Sequence, residues 1–549
     1  MIYPRLLRIT VLLVPLLLLI APVGALNAQD DPGTAAAWWN DRVFYEIFVR
    51  SFQDSDGDGI GDLRGMIDRL DYLNDGDPTT TDDLGVTGIW LMPVTEGLSY
   101  HGYDVLDYRA IEADFGTRAD FDAFMDAAHD RGIAVIVDLV INHSSVEHPW
   151  FAASAAGEAE FADWYVWADE DPGFRGPDGQ VVWHPLADRF YYGLFWGGMP
   201  DLNHENPATT EAIYDITRFW LEDLGVDGLR LDAVKHIIEV GREQENTEAT
   251  RQWMRDYDAF IDSVAPDALT VGEVWSSSFV AAPYVGDGVD LVFEFDLATA
   301  LVQSAAQGNA AAVNTALNRV LDLYPPGQFA SFLTNHDQNR VMSALRGDVD
   351  AAKVAASLLL TIPGVPFLYY GEEIGMMGVK PDERIRTPMQ WDAAPNTAGF
   401  TTGTPWQPLA DENQAATVAD QSGDPASLLS HYRSLIHLRN AHPALQTGDF
   451  VPVETGIRAI SQPIYPFLRV TPDETLLVVI NLSDEAISDY GLTLDEGPLA
   501  TVSGAEIMFA PSGAAAISIP ELNGAGGFAA YQPLPELPPR STLIIQLVS

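Results

Sequence analysis

The chain has 549 residues, 29 of them basic and 79 acidic, for a formal charge of −50. So acidic a surface repels nucleic acid and anionic membranes and favours a neutral partner. There is no cysteine, which excludes disulfides, thiol catalysis and lipid attachment through cysteine, and the length suits a large barrel with additions.

Residues 1–28 read as a secretory signal peptide. Arg5 and Arg8 precede an apolar core from Val11 to Ile20, and Val23, Gly24 and Ala25 form a small-residue cleavage site. The core is too short for a confident membrane span. The mature chain is therefore expected to be secreted or extracytoplasmic, with no stable membrane insertion once the signal is removed.

From 37 to 447, apolar runs alternate with helical patterns. The runs fall at 43–52, 86–93, 133–141, 226–231, 269–274, 291–297, 329–333 and 366–370. Amphipathic stretches at 118–131, 210–224 and 350–360 lie between them. Eight strand candidates alternating with helices predict an α/β chain folded as a (β/α)8 TIM barrel. After the first run, Asp54, Asp56, Asp58 and Asp62 alternate with Gly57, Gly59 and Gly61. Oxygen donors at alternate positions, with glycines for tight turns, suit Ca²⁺. The loop begins like an EF-hand, but Gly65 stands at the twelfth position where a glutamate would close it. The connection after the third strand, 144–209, is rich in Trp, Gly, Pro and Asp with little helical period, which predicts an inserted subdomain. From 448 to 549, short alternating runs such as 475–481 and 541–548 predict a C-terminal antiparallel β-sandwich domain.

Three carboxylates stand at strand ends: Asp232, Glu273 and Asp337. In a TIM barrel the active site lies at the C-terminal ends of the strands. Arg230 and Asp232 are two apart and share a strand face. A guanidinium there favours the ionised Asp232, as a nucleophile requires. Lys235 and His236 follow, and Lys235 is one of three lysines in the chain. Glu273 follows Gly272 and is flanked by Val271, Val274 and Trp275. Apolar surroundings raise a carboxyl pKa towards proton donation.

Four segments occur in the order typical of one family: Asp138 to His143, Gly228 to His236, Gly272 to Trp275, and Phe332 to Asp337. With them the mature chain resembles the α-amylase family of retaining glycoside hydrolases. The resemblance implies that Asp232 is the nucleophile, Glu273 the acid and then base, and Asp337 the carboxylate that distorts and stabilises the sugar. It implies that His143 and His336 hydrogen-bond that sugar and that Tyr103 stacks on it. The acidic loop is similar to the calcium loop of oligo-1,6-glucosidase-like members, which implies Asp54, Asp56, Asp58, the Ile60 carbonyl and Asp62 as ligands. The segment Met199 to Asn203 resembles a subgroup intermediate between oligo-1,6-glucosidases and neopullulanases, while 386–391 and 148–151 look like oligo-1,6-glucosidases. His101 stands where exo-glucosidases of that group carry an Asp. Ala233 resembles enzymes that cut α-1,4 bonds, and Lys235 with His236 resembles the leaving-group side of α-amylases. The expectation is an endo-acting enzyme on starch or maltodextrin. An exo-α-glucosidase or oligo-1,6-glucosidase, a 4-α-glucanotransferase, and a non-catalytic glucan-binding protein are the alternatives.

Overall fold

Eight short strands line one ring: β1 Phe44–Ile47, β2 Gly88–Leu91, β3 Ala134–Leu139, β4 Gly228–Leu231, β5 Leu269–Gly272, β6 Leu291–Val292, β7 Ala330–Phe332 and β8 Val365–Tyr369. The computed structural model describes residues 37–409, 417–457, 461–511 and 517–548. The signal peptide expected at 1–28 lies outside them. Each strand pairs in parallel with its neighbours in chain order, and β1 pairs with β8. A parallel bridge between Phe293 and Ala330 joins the end of β6 to β7 and closes the ring. The predicted barrel is the observed one.

Alternation along the strands explains its two cores. Phe44, Trp90, Ile136, Val271, Phe332 and Phe367 point inwards and form one cluster. Tyr45, Ile89, Val135, Val137, Leu229 and Leu231 point outwards into the cluster shared with the helices. Burying each such side chain contributes on the order of 1.5–3 kcal/mol. The outer helices carry ordinary start signals. Thr117 and Asp120 form a capping box on Arg118–His129, and Asp348 caps Val349–Thr361.

Two local expectations differ from the structure. The sixth run is a strand for only Leu291 and Val292. Helix Phe295–Gln307 then begins, and Leu297 belongs to it. Leu297, Ala300, Leu301, Ser304 and Ala305 are buried at three- and four-residue spacing, so the helical period takes over inside the apolar run. The insertion after β3 also contains a helix, Pro149–Ala156, with His148 as its N-cap, Pro at its first turn and left-handed Gly157 at its end. Beside it lies a three-stranded antiparallel sheet of Trp167–Ala168, Arg189–Tyr192 and Trp183–Leu186.

After Thr447 the chain forms a five-stranded antiparallel sheet and a three-stranded one. The larger sheet is covered on both faces. Leu468, Leu477, Val479, Leu543 and Ile545 pack with Leu492 and Phe528 of the smaller sheet. Phe467, Leu476, Val478, Ile480 and Ile544 join the barrel's outer core.

Candidate active site

The site grows from the parallel register of β3 and β4. Asp138 and Arg230 are register partners with side chains inside the barrel. Arg230 is fully buried, and one guanidinium serves three acids. Its Nη1 contacts Asp138 at 2.9 and 3.1 Å and Asp232 Oδ1 at 2.7 Å, while Nη2 contacts Glu273 Oε2 at 2.8 Å. A buried cation of this kind is tolerable because carboxylates surround it.

Asp232 and Glu273 follow the last residues of β4 and β5, and they are the partly open members of the group. Their side chains are 10% and 13% exposed, against 0% for Asp138. Burial pushes both carboxyls upwards and Arg230 pulls both down. Asp337 pushes both up as well; Glu273 feels a further push from Asp232, whereas Asp232 accepts a hydrogen bond from Arg230. A single proton shared by the pair therefore sits better on Glu273. Ala233 takes a left-handed φ of 53°, and its N–H faces Glu273 Oε2 at 3.3 Å. For an alanine that conformation costs on the order of 1–2 kcal/mol.

Asp337 follows β7 and sits between Arg386 and His336. Arg386 Nη2 donates to its Oδ1 at 2.8 Å, and His336 Nε2 lies 3.3 Å from its Oδ2. Although burial opposes it, His336 and Arg386 hold the Asp337 carboxyl well below the usual carboxylate range. Tyr103 and His336 are parallel, with ring centroids 5.6 Å apart. The Tyr103 hydroxyl donates to Asp138 Oδ2 at 2.9 Å.

The remaining expected residues fall around the opening. The His143 ring is buried, its Nε2 has no protein partner among the described residues, and burial pushes its pKa down to about 3. His101 Nδ1 accepts from the Tyr103 N–H at 3.1 Å. Lys235 Nζ donates to Glu245 and to the Trp275 carbonyl at 2.8 and 3.0 Å. His236 Nδ1 meets the Gln244 carbonyl at 2.8 Å, and burial pushes this histidine down to about 4. Lys235, His236 and Glu273, with Phe195 and Trp275, line a cleft of about 400 Å³. Sequence reading gave no site role to Asp138, Glu46, Arg386 or Phe195. Glu46 was detectable as the one acidic residue inside the apolar run 43–52, and Asp138 and Arg386 stood inside quoted segments. Phe195 carried no signal of its own. Trp275 was read as a wall for Glu273, but it stacks on Phe295 at 4.8 Å with its other face open, 44% exposed.

The acidic loop gathers the Asp54, Asp56 and Asp58 carboxylates within 4.8 Å of one another. Burial and the neighbouring carboxylates raise Asp58. Gly57 and Gly59 have φ of 88° and 98°, and a Cβ on Gly59 would lie 1.9 Å from the Thr404 carbonyl oxygen. Asp62 is not in this group. Its carboxylate accepts from Ser55 and caps Gly65 at 2.8 Å.

A family model described as alpha amylase, catalytic domain, matches residues 46–448. Alpha-amylase 3 of Dictyoglomus thermophilum is 38% identical over 451 residues, 81% of this chain and 85% of that protein. An oligo-1,6-glucosidase of Heyndrickxia coagulans is 32% identical over 532 residues, 82% of this chain and 93% of that one. The crystal structure of the alpha-amylase from H. orenii is similar with a TM-score of 0.78 at 40% identity, over 92% of this chain and 99% of that one.

Proposed function

The chain belongs to the α-amylase family of glycoside hydrolases, and from that premise we propose that it cuts internal α-1,4 bonds of starch or maltodextrin with retention of configuration. The observation that carries the mechanism is the Arg230 guanidinium, which holds Asp232 on one arm and Glu273 on the other. Retention requires two carboxyls about 5–5.5 Å apart across one glycosidic bond. Asp232 attacks the anomeric carbon as Glu273 passes its proton to the leaving oxygen, which yields a glucosyl ester on Asp232. Glu273 then takes a proton from water, which attacks the same carbon and frees Asp232. Asp337, ionised beside Arg386 and His336, accepts hydrogen bonds from sugar hydroxyls. His143 Nε2 is a donor or acceptor without a protein partner and suits the same sugar.

Endo action is favoured by the space beyond Glu273. The cleft there is flanked by the exposed rings of Phe195 and Trp275, faces on which further glucose units can stack. Export follows from the leader-like residues 1–28. Among the described residues no helix is long and apolar enough to cross a membrane. Asp54, Asp56 and Asp58 would hold Ca²⁺, which offsets their mutual repulsion and fixes the loop after β1. The Ile60 carbonyl and Asp62 would complete the set only if Asp62 relinquished part of its contact with Ser55.

The test is the early product profile on a long linear α-1,4-glucan. Mixed oligosaccharides with rapid loss of long chains are expected. Glucose alone from the first minutes would replace this reading with an exo-glucosidase. Products longer than the substrate would indicate a transferase, and no products at all a binding protein.

A further inference from the structure

Glu46 is the unexplained charge of the barrel. It lies on β1, shares the inward face with Phe44, and is 2% exposed. Its register partners are Trp90 on β2 and Tyr369 on β8. A carboxylate among such neighbours is costly unless it is paired. Its Oε1 lies 2.5 Å from His336 Nδ1.

The protons on His336 follow from donor accounting. Burial pushes the Asp138 carboxyl up to about 7, but Arg230 Nη1 donates to both of its oxygens and pulls it back towards the ionised form, in which it only accepts. Tyr103 therefore spends its O–H on Asp138, and its oxygen must accept from His336 Nε2, 2.7 Å away. Nε2 carries hydrogen. Nδ1 faces a carboxylate oxygen and needs hydrogen as well, because two lone pairs do not approach to 2.5 Å. The flanking charges favour that second proton on the imidazole. Asp337 lies 3.3 Å from Nε2, and Asp138 is one hydroxyl away. Arg386 approaches only the His336 carbonyl oxygen, at 3.0 Å, and directs Nη2 to Asp337. The ring itself stacks on Tyr103 and meets Trp90 edge-on at 5.6 Å, both suited to a cation.

We propose that Glu46 is a positioning residue: its carboxylate anchors His336 as a doubly protonated imidazolium, whose second N–H faces Tyr103 and Asp337. The device supplies a fixed cation at the floor of a site crowded with acids. Removing it would leave Arg230 and Arg386, with Lys380 acting on Asp337, against Asp138, Asp232, Glu273 and Asp337. Its consequence for catalysis rests on the hydrolase reading above. Burial opposes the charged ring, but Asp337 and Glu46 together raise His336 to about 10. Glu46→Gln keeps an acceptor oxygen and removes the charge, so the ring should lose its proton nearer neutrality.

The experiment is histidine-selective isotope labelling of the unliganded protein, with ring signals followed against pH and His336 assigned by its loss in His336→Asn. One imidazolium persisting to pH 9 is expected in the parent, and a titration at least two pH units lower in Glu46→Gln. In the same variant, kcat/KM should fall earlier on the alkaline side, by about one pH unit, with activity near pH 5 within about threefold of the parent. A neutral His336 in the parent at pH 7 overturns the proposal without any variant, whether or not Glu46→Gln folds. An unchanged titration in Glu46→Gln also overturns it. The ring signal is read without substrate, so failure of the glucan reading leaves this test intact.

Discussion

Arg230 sets the terms on which three acids coexist, and its two arms separate what their residue types leave equal. Asp232 gains a hydrogen bond at 2.7 Å, whereas Glu273 gains an ion pair at 2.8 Å and is pushed up by Asp232 in addition to the push from Asp337 that both feel. The proposed nucleophile and acid roles agree with that asymmetry. Asp232→Asn keeps the shape and the Arg230 contact but removes the attacking charge. We expect kcat to fall at least about a thousandfold, in the range that removal of a nucleophile costs. The melting temperature should hold or rise, because the variant relieves repulsion among buried acids. Activity assays and thermal melts on the same preparation check both halves. Near-parent activity would remove Asp232 from the chemistry.

The loop after β1 shows how a short segment can be built around a charge problem. Its glycines fit where the chain folds back against Thr402 and Thr404, and its aspartates converge. A cation bound only by the folded state stabilises it by roughly 2.7 kcal/mol at a hundredfold excess over Kd. Chelation should therefore lower the melting temperature by a few degrees, and added Ca²⁺ should restore it. An unchanged melt on protein verified metal-free by elemental analysis would refute the loop as a metal site. The clustering of this loop's aspartates, the eight strand runs and the three strand-end carboxylates were readable because each rests on local order: alternating aspartates and glycines, apolar period, and position after a strand. What could not be read depends on register across the ring. Sequence spacing places Arg230 beside Asp232, but only the closed barrel brings Glu46 to His336, 290 positions away. The helix starting at Phe295 was hidden differently, because an apolar run carries no boundary where its period changes from two to 3.6.

Where the barrel meets the C-terminal sheets, two buried arginines are met by carbonyls instead of acids, and one of them, Arg469, joins the two. Helix Val349–Thr361 ends between them. Arg439 donates to the carbonyls of Leu360 and Gly364, and Arg469 to those of Thr361 and Gly448, at 2.7–3.1 Å. Cations at a helix C-terminus are favoured by the partial negative charge of its free carbonyls. Burial nevertheless lowers Arg439 to about 9, and lowers Arg469 too, so both sites are tight compromises. Arg469 lies on the sheet strand Ile464–Val470 and the Thr361 carbonyl on a barrel helix, so one side chain ties the two cores. Because Trp38–Ser549 is a single compact unit, loss of that tie should be felt throughout. Arg469→Ala strands the Thr361 and Gly448 carbonyls and opens a cavity. Each stranded group costs about 1–3 kcal/mol, and the cavity adds to that. We expect one calorimetric transition in both proteins, shifted down as a whole in the variant. A second transition, with the barrel melting where it did before, would mean that the sheets stabilise themselves and not the barrel.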